Sequence, residues 1–399
     1  MIQTAQRIAD VEEYYFSRKL AEVRSLDTKE LPVINLGIGS PDLSPSHSTV
    51  EALTTSARNP GHHGYQNYKG IPALRQAIGA FYERTYGVHP DPEKEILPLM
   101  GSKEGIFHIT MAFVNEGEEV LIPDPGYPTY AAVARLAGAK IRTYALKEEL
   151  DWGIDLEALR SMDLSKVKLM WVNFPHMPTG RVAGRQELAT LIELAQKNRF
   201  LIVNDNPYSL ILNEHPQSIL AIPGSSDVAM ELNSLSKSHN MAGWRIGWVA
   251  GSKEHIDAVL RVKSNMDSGM FLGLQHAAIE ALRSEKSWFE ELNTVYRGRS
   301  VIAKRLLDVL GCTYAEKQSG LFVWARAPRN VVDVEKWLDE ILYSTKVFIT
   351  PGFIFGPGGS SHVRISLCAP VEKLEEALKR IQAWSKAKSK NHHVTREIA

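Results

Sequence analysis

Cysteine is nearly missing from this chain: 399 residues contain two, Cys312 and Cys368, far apart and in apolar surroundings. That scarcity excludes a disulfide framework or a cysteine-based zinc cluster and reads as two buried thiols. An excess of either charge is also absent, with 46 Lys plus Arg against 46 Asp plus Glu. No global field therefore draws the chain to nucleic acid or to an anionic membrane, and any anionic ligand must be held by local groups. No apolar run reaches the length of a membrane span, and the opening MIQTAQRIADVEEYYFSRKL carries acids where a leader would be apolar. The expectation is a cytoplasmic protein with neither a membrane nor a nucleic-acid partner. Repeats, low-complexity tracts and His/Cys/Asp spacings suited to a metal are lacking too, so no metal is expected.

What is present is a 44% hydrophobic chain, long enough for two domains. Ile8, Val11, Tyr15 and Leu20 recur at roughly helical spacing within residues 5–24. From about residue 70, short β-rich runs alternate with longer helical patterns: EILPLM, EEVLIPD, KLMWVNF, FLIVNDN, VAMELNS and GWVAG. Near-continuous apolar runs imply strands buried on both faces of a mainly parallel sheet, hence an α/β fold with helices on both sides. After about residue 285 the pattern becomes a long helix to Leu310, strand-like GLFVWARA, a helix, strand-like VFIT and HVRISL, and a last helix from Pro370. The expected organisation is an N-terminal arm with part of a small domain (1–48), a large domain (49–285) and a C-terminal small α/β domain (286–399). The polar tail KAKSKNHHVTREIA should fray.

Open parallel sheets bind ligands at the carboxyl ends of their strands, so the residues following each run matter most. EILPLM is followed by Gly101-Ser102-Lys103-Glu104-Gly105, a turn opening a helix whose free N–H groups suit a phosphate. EEVLIPD leads to Pro125-Gly126-Tyr127-Pro128, and KLMWVNF to Pro175-His176-Met177-Pro178-Thr179-Gly180. FLIVNDN brings Asp205 and then Tyr208, and VAMELNS brings Ser234-Leu235-Ser236-Lys237. Each has an ordinary structural alternative: a turn, a cap, a solvated lysine.

The string from Ser234 to Gly247, SLSKSHNMAGWRIG, changes that balance. It resembles the lysine-site signature of class I aminotransferases, a branch of the fold-type I enzymes that use pyridoxal phosphate (PLP). The resemblance runs in order over nearly the whole chain. It implies that Lys237 holds the cofactor as a Schiff base, and that Ser102, Lys103, Ser234, Ser236 and Arg245 hold its phosphate. Tyr127 resembles the aromatic stacked on the ring, and Asp205 and Tyr208 the pair at the ring nitrogen and phenolic oxygen. Gly39, in Asn35-Leu36-Gly37-Ile38-Gly39, and Arg364, in Val-Arg-Ile-Ser, look like the groups at the substrate α-carboxylate. Tyr65, five residues before Gly70, is similar to the tyrosine that crosses a homodimer interface to the neighbouring phosphate. Where the family usually has Asn-Pro-Thr-Gly, this chain has Met177-Pro178-Thr179-Gly180, and methionine cannot donate a hydrogen bond. Asn173, four residues earlier, is the candidate substitute, with Tyr208 acting alone as the other option. His176 and His239 read as supporting polar residues.

The resemblance implies transfer of an amino group from an L-amino acid to a 2-oxo acid with ping-pong kinetics. A carbon–sulfur β-lyase uses the same early steps and is the competing enzyme reading. A PLP-binding regulator would need a DNA-binding domain, for which the forty or so residues before the first motif carry no basic helix-turn-helix.

Overall fold

Short runs of apolar residues become strands here because a helical layer covers each of their faces. In the computed structural model, which describes residues 2–8 and 15–397, β1 (Ile34–Asn35) precedes the strands of a large sheet. These are β2 (Ile96–Leu99), β3 (Glu119–Asp124), β4 (Lys140–Lys147), β5 (Gly153–Ile154), β6 (Val167–Val172), β7 (Leu201–Asp205), β8 (Ala229–Ser234) and β9 (Gly247–Gly251). Their order is β2-β9-β8-β7-β6-β3-β4-β5. The four central pairings, from β4 through β3, β6 and β7 to β8, are parallel. The pairs β2–β9, β8–β9 and β4–β5 are antiparallel.

β6 shows how both faces are used. Leu169 and Trp171 pack with Ile106, Tyr130 and Val259 of the helices Ser102–Phe113, Pro128–Leu136 and Lys253–Lys263. Met170 and Val172 point the other way, toward Leu188 and Leu191 of helix Arg185–Asn198. Side chains of a strand alternate sides, so a strand covered twice has no polar phase to reveal it. β4 escaped sequence patterning for the opposite reason: KIRTYALK alternates exposed and buried positions toward the sheet edge.

The later chain forms β10 (Thr313–Tyr314), β11 (Phe322–Arg326), β12 (Val347–Phe348), β13 (Thr350–Pro351) and β14 (His362–Ser366). The order β10-β11-β14-β13 makes an antiparallel sheet, and β12 instead pairs in parallel with β1. The early residues thus pair with a strand of the later chain. Helix Tyr15–Ser25 is tied to helix Val334–Thr345 by Tyr15 Oη donating to Glu335 (3.2 Å), by Lys19 Nζ on Asp339 (2.6 Å), and by Tyr343 Oη donating to Glu22. Of the expected N-terminal helical stripe, Val11 lies outside the described residues, and Ile8 ends a single 3-10 turn, Gln6–Ile8. The final helix, Val371–Glu397, runs through the tail where fraying was expected, and Lys388 pairs with Glu340 at 2.7 Å near its far end. Among the described residues no helix is long and apolar enough to cross a membrane.

Candidate active site

Five strands of the large sheet, β2, β3, β6, β7 and β8, end along one edge, and the turns after them line a cavity of about 420 Å³. Ser102, Lys103, Tyr127, Asn173, Asp205, Tyr208, Ser234, Ser236, Lys237 and Arg245 all reach it from this side. Gly39 and Arg364 reach it from the smaller unit. Of the residues to which the resemblance gives a cofactor or substrate role, Tyr65 stands outside. It is 93% exposed, on the surface.

Asp205 ends β7 and is 4% exposed. Its Oδ2 accepts from Tyr130 Oη at 2.9 Å, while Oδ1 is buried with no hydrogen-bond partner. Burial pushes the carboxyl up to about 6, against the opposing pull of the Tyr130 hydroxyl and the Lys237 charge. A buried carboxylate oxygen left open toward a cavity suits a cationic N–H donor.

Lys237 sits in the short helix Leu235–Ser238 after β8 and donates from Nζ to the Gly39 carbonyl at 2.6 Å. Burial holds its amine below the usual lysine range, reinforced by the charges of Arg364 and Arg245. A lysine depressed in this way is a more available nucleophile and base.

At the floor, Gly101 adopts φ 91°, and a Cβ there would come within 2.3 Å of Arg245 Nη2. Only glycine allows the guanidinium to close over the first turn of helix Ser102–Phe113. Glu104 steadies that turn by accepting the Met100 N–H. Ser234 Oγ donates to the Ile246 carbonyl (3.0 Å) and lies 2.8 Å from Ser236 Oγ. Hydroxyls, helix N–H groups and a guanidinium so gathered make a cup suited to a dianion.

Arg364 stands at the centre of the smaller sheet, opposite Trp324 and Thr350. Nη2 donates to the Gly37 carbonyl at 2.7 Å, and the guanidinium lies 3.9 Å from the Phe322 ring centre and 4.6 Å from that of Phe355. Gly37 and Gly39 are needed because Cβ atoms would meet the rings of Phe348 at 2.4 Å and Phe322 at 2.2 Å.

Asn173 lines the cavity with its carboxamide already engaged: Oδ1 accepts the Met177 N–H at 2.8 Å and Nδ2 donates to the Asp205 carbonyl. One amide hydrogen is left for any other acceptor. His176 and His239 are buried, drawn down to about 3 by desolvation, and do not line the cavity. Sequence reasoning missed Tyr130, three residues after Tyr127, and the pair Phe322 and Phe355, which read as ordinary core. It also missed that Glu104, His108 and Asp267 gather within 4.8 Å. Lys263 Nζ lies 2.6 Å from Asp267 in that cluster, so an ammonium already supplies the counter-charge.

The family model described as aminotransferase class I and II matches residues 32–381. The chain belongs to this family. It is 39% identical over 380 residues to an LL-diaminopimelate aminotransferase of Oleidesulfovibrio alaskensis, covering 94% of this chain and 98% of that one. A Dehalococcoides mccartyi enzyme of the same name is 37% identical over 386 residues, covering 95% and 98%. Among solved structures, apo-BacF from Bacillus subtilis superposes with a TM-score of 0.92 at 34% identity, over 96% of this chain and 99% of that one. An aminotransferase from Staphylococcus aureus gives 0.88 at 30%, over 96% and 99%. This aminotransferase therefore has the fold-type I architecture as well as the family's sequence.

Proposed function

We propose that this aminotransferase uses pyridoxal 5′-phosphate held by Lys237 to move an amino group from an L-amino acid to a 2-oxo acid. The observation that carries the reading is the open, buried Oδ1 of Asp205 on the same cavity edge as Lys237, facing Arg364 across the gap. When bound, the cofactor supplies an electron sink for the pair released with the substrate's Cα proton.

Asp205 would pair with the ring nitrogen and keep it protonated, since an adjacent anion favours the cationic form. Tyr127 would cover the ring, and Tyr208 would donate to the phenolic oxygen. Ser102, Lys103, Ser234, Ser236 and Arg245 hold the phosphate, with Tyr65 of a second copy as the additional donor in a homodimer. Arg364 takes the α-carboxylate with its planar fork, and the Gly39 backbone closes beside it. Lys237, once its amine is free, would take the Cα proton and hand it to the cofactor carbon on the other side of the shared nitrogen, so release of one 2-oxo acid precedes binding of the next. Asn173 orders the strand end, with one amide hydrogen to spare for the cofactor. The proposed units are residues 1–48 with 286–399 around the smaller sheet, and 49–285 around the larger. A cytoplasmic location accords with the lack of a membrane-spanning helix among the described residues.

Incubating the holoenzyme with an L-amino acid and 2-oxoglutarate should yield glutamate, whereas a β-lyase would release pyruvate and ammonia. Lys237→Ala should lose the visible absorbance of the bound cofactor and at least ~10³-fold in turnover. Retention of both would overturn the assignment.

A further inference from the structure

We propose that Glu231, which does not line the cavity, is a positioning residue for the reaction: as a neutral acid it fixes the ends of β6 and β7, and with them Asp205. The inference rests on the aminotransferase reading, in which the Asp205 carboxyl meets the cofactor's ring nitrogen.

Glu231 lies within β8, and its partners in the ladder are Asn204 of β7 and Ala250 of β9. It is 0% exposed, so every group that touches it belongs to this chain. Oε2 accepts from Asn204 Nδ2 at 3.0 Å and from the Ile219 N–H at 3.1 Å, while Oε1 is buried with no hydrogen-bond partner. Beside the carboxyl stand the hydroxyls of Ser218 and of Tyr82, the latter on helix Pro72–Tyr86, and Tyr86 is near as well. The groups that face it are thus uncharged at neutral pH. A carboxylate without a counter-ion costs free energy to bury. A carboxylic acid keeps one oxygen as acceptor for the two N–H groups and makes the other a donor. Burial pushes this carboxyl up to about 7, against the opposing pull of Asn204, Ser218, the Ile219 N–H and Tyr82.

The acid reaches the site through Asn204. A carboxamide can face either way, and an acceptor at Oε2 draws Nδ2 toward β8, which turns Oδ1 toward β6. There it accepts the Phe174 N–H at 3.0 Å, just past the last rung of the β6–β7 ladder, Val172 with Asn204. Phe174 follows Asn173, whose own carboxamide donates to the Asp205 carbonyl. Successive residues of a strand face opposite sides, so Asn204 works behind the sheet while Asp205, next in sequence, opens into the cavity. The ends of β6 and β7 are held together by side chains where backbone pairing has run out. Without the acid, Asn204 loses the partner that orients it, the Phe174 bond weakens, and Asp205 moves relative to the ring nitrogen. A weaker pair there leaves less positive charge in the ring, so the proton that governs the visible band is held more tightly.

The test compares two substitutions. Glu231→Met removes both oxygens at similar length, and Glu231→Gln reproduces the neutral acid, with one oxygen for Asn204 and Ile219 and a donor in place of the hydroxyl. In the PLP-loaded enzyme, Glu231→Met should lower kcat about tenfold or more while KM for the amino donor stays within about threefold. It should also raise the pH midpoint of the visible band by about half a unit or more. Glu231→Gln should rescue kcat to within about twofold of the parent and return the midpoint to within about 0.2 unit. If Glu231→Met does not load, Glu231→Asn, with a shorter arm toward Asn204, replaces it under the same expectations. Without cofactor, Glu231→Gln should melt higher than the parent at about pH 8, with the gap closing at about pH 4, because only the parent must ionise a buried acid as pH rises.

A glutamine variant as impaired as the methionine one, or one that melts no higher at about pH 8, means that the carboxylate is required and overturns the proposal. Parent-like kcat and midpoint in the methionine variant overturn it too, as does a fall in kcat with an unmoved midpoint, which a structural defect alone would give. Failure of the aminotransferase reading is distinguishable: the unaltered enzyme then shows no titrating visible band and turns over no donor, while the melting comparison still separates acid from carboxylate.

Discussion

Met177 Sδ lies 3.2 Å from Nη1 of Arg364, so a weak acceptor touches the guanidinium proposed to bind the α-carboxylate, at the position where the family pattern has an asparagine. The substitution removes a donor that could reach the cofactor's phenolic oxygen. Without that donor, more electron density stays on the oxygen and the neighbouring imine proton is held more tightly. Met177→Asn should therefore move the pH midpoint of the visible band downward by about one unit, the scale of one charge-assisted hydrogen bond. A spectral pH titration of both holoenzymes checks this, and no downward movement would count against it.

Asp205 gives a pH-dependent prediction in the cofactor-free protein. Its folded carboxyl is raised from 3.8 to about 6 by burial. The folded state thus holds a proton that the unfolded chain has lost, and folding weakens as pH rises through this window. The penalty is absent below about pH 4, grows to about pH 6 and is then complete, at roughly 3 kcal/mol. Cofactor-free Asp205→Asn should melt higher than the cofactor-free parent at about pH 7.5, with the gap closing at about pH 4. A variant that melts lower at the upper pH would contradict the burial argument.

Gly101→Ala forces a Cβ onto a residue at φ 91° and toward Arg245 Nη2 at 2.3 Å. The left-handed strain costs on the order of 1–2 kcal/mol, and displacement of the guanidinium weakens the cup. Cofactor dissociation, followed by loss of the visible band on dilution, should be about tenfold faster. Unchanged retention would mean that Arg245 does not hold the phosphate.

Tyr65 projects to solvent from the single chain, at 93% exposure. If a second copy uses it, Tyr65→Phe should loosen the cofactor without lowering monomer stability. Mixing inactive Lys237→Ala with weakened Tyr65→Phe then gives a decisive pattern. The mixed dimer contains one site with both an intact lysine and an intact neighbouring tyrosine, so activity should rise above that of either parent preparation. No recovery after subunit exchange would place Tyr65 outside the site.

Arg364→Lys keeps the charge but loses the planar fork between Phe322 and Phe355. Catalytic efficiency should fall about 100-fold, mainly through KM. A loss confined to kcat would point away from carboxylate binding.

The large sheet was legible because its strands are apolar on both faces, and the strand ends were legible because polar and glycine residues stop those runs abruptly. The site residues followed from a single ordered resemblance, and ten of them do meet at one cavity edge. What sequence could not show was commitment. Asn173 looks available in the linear chain, yet its carboxamide is engaged by Met177 and Asp205 backbone groups. Tyr130 resembles any buried tyrosine until β7 brings Asp205 within 2.9 Å. Phe322 and Phe355 pattern as core, and only the pairing of β11 with β14 reveals that they flank an arginine. Strand β4, next to last in the sheet, was hidden by its polar alternation, a register that suits one solvated face.

The three side-chain links from helix Tyr15–Ser25 to helix Val334–Thr345 make Leu20 a passenger of the smaller unit, while the cup belongs wholly to the larger. On the proposed roles, a change in the packing of that helix would move Leu20 at the cavity mouth while leaving the residues of the cup in place.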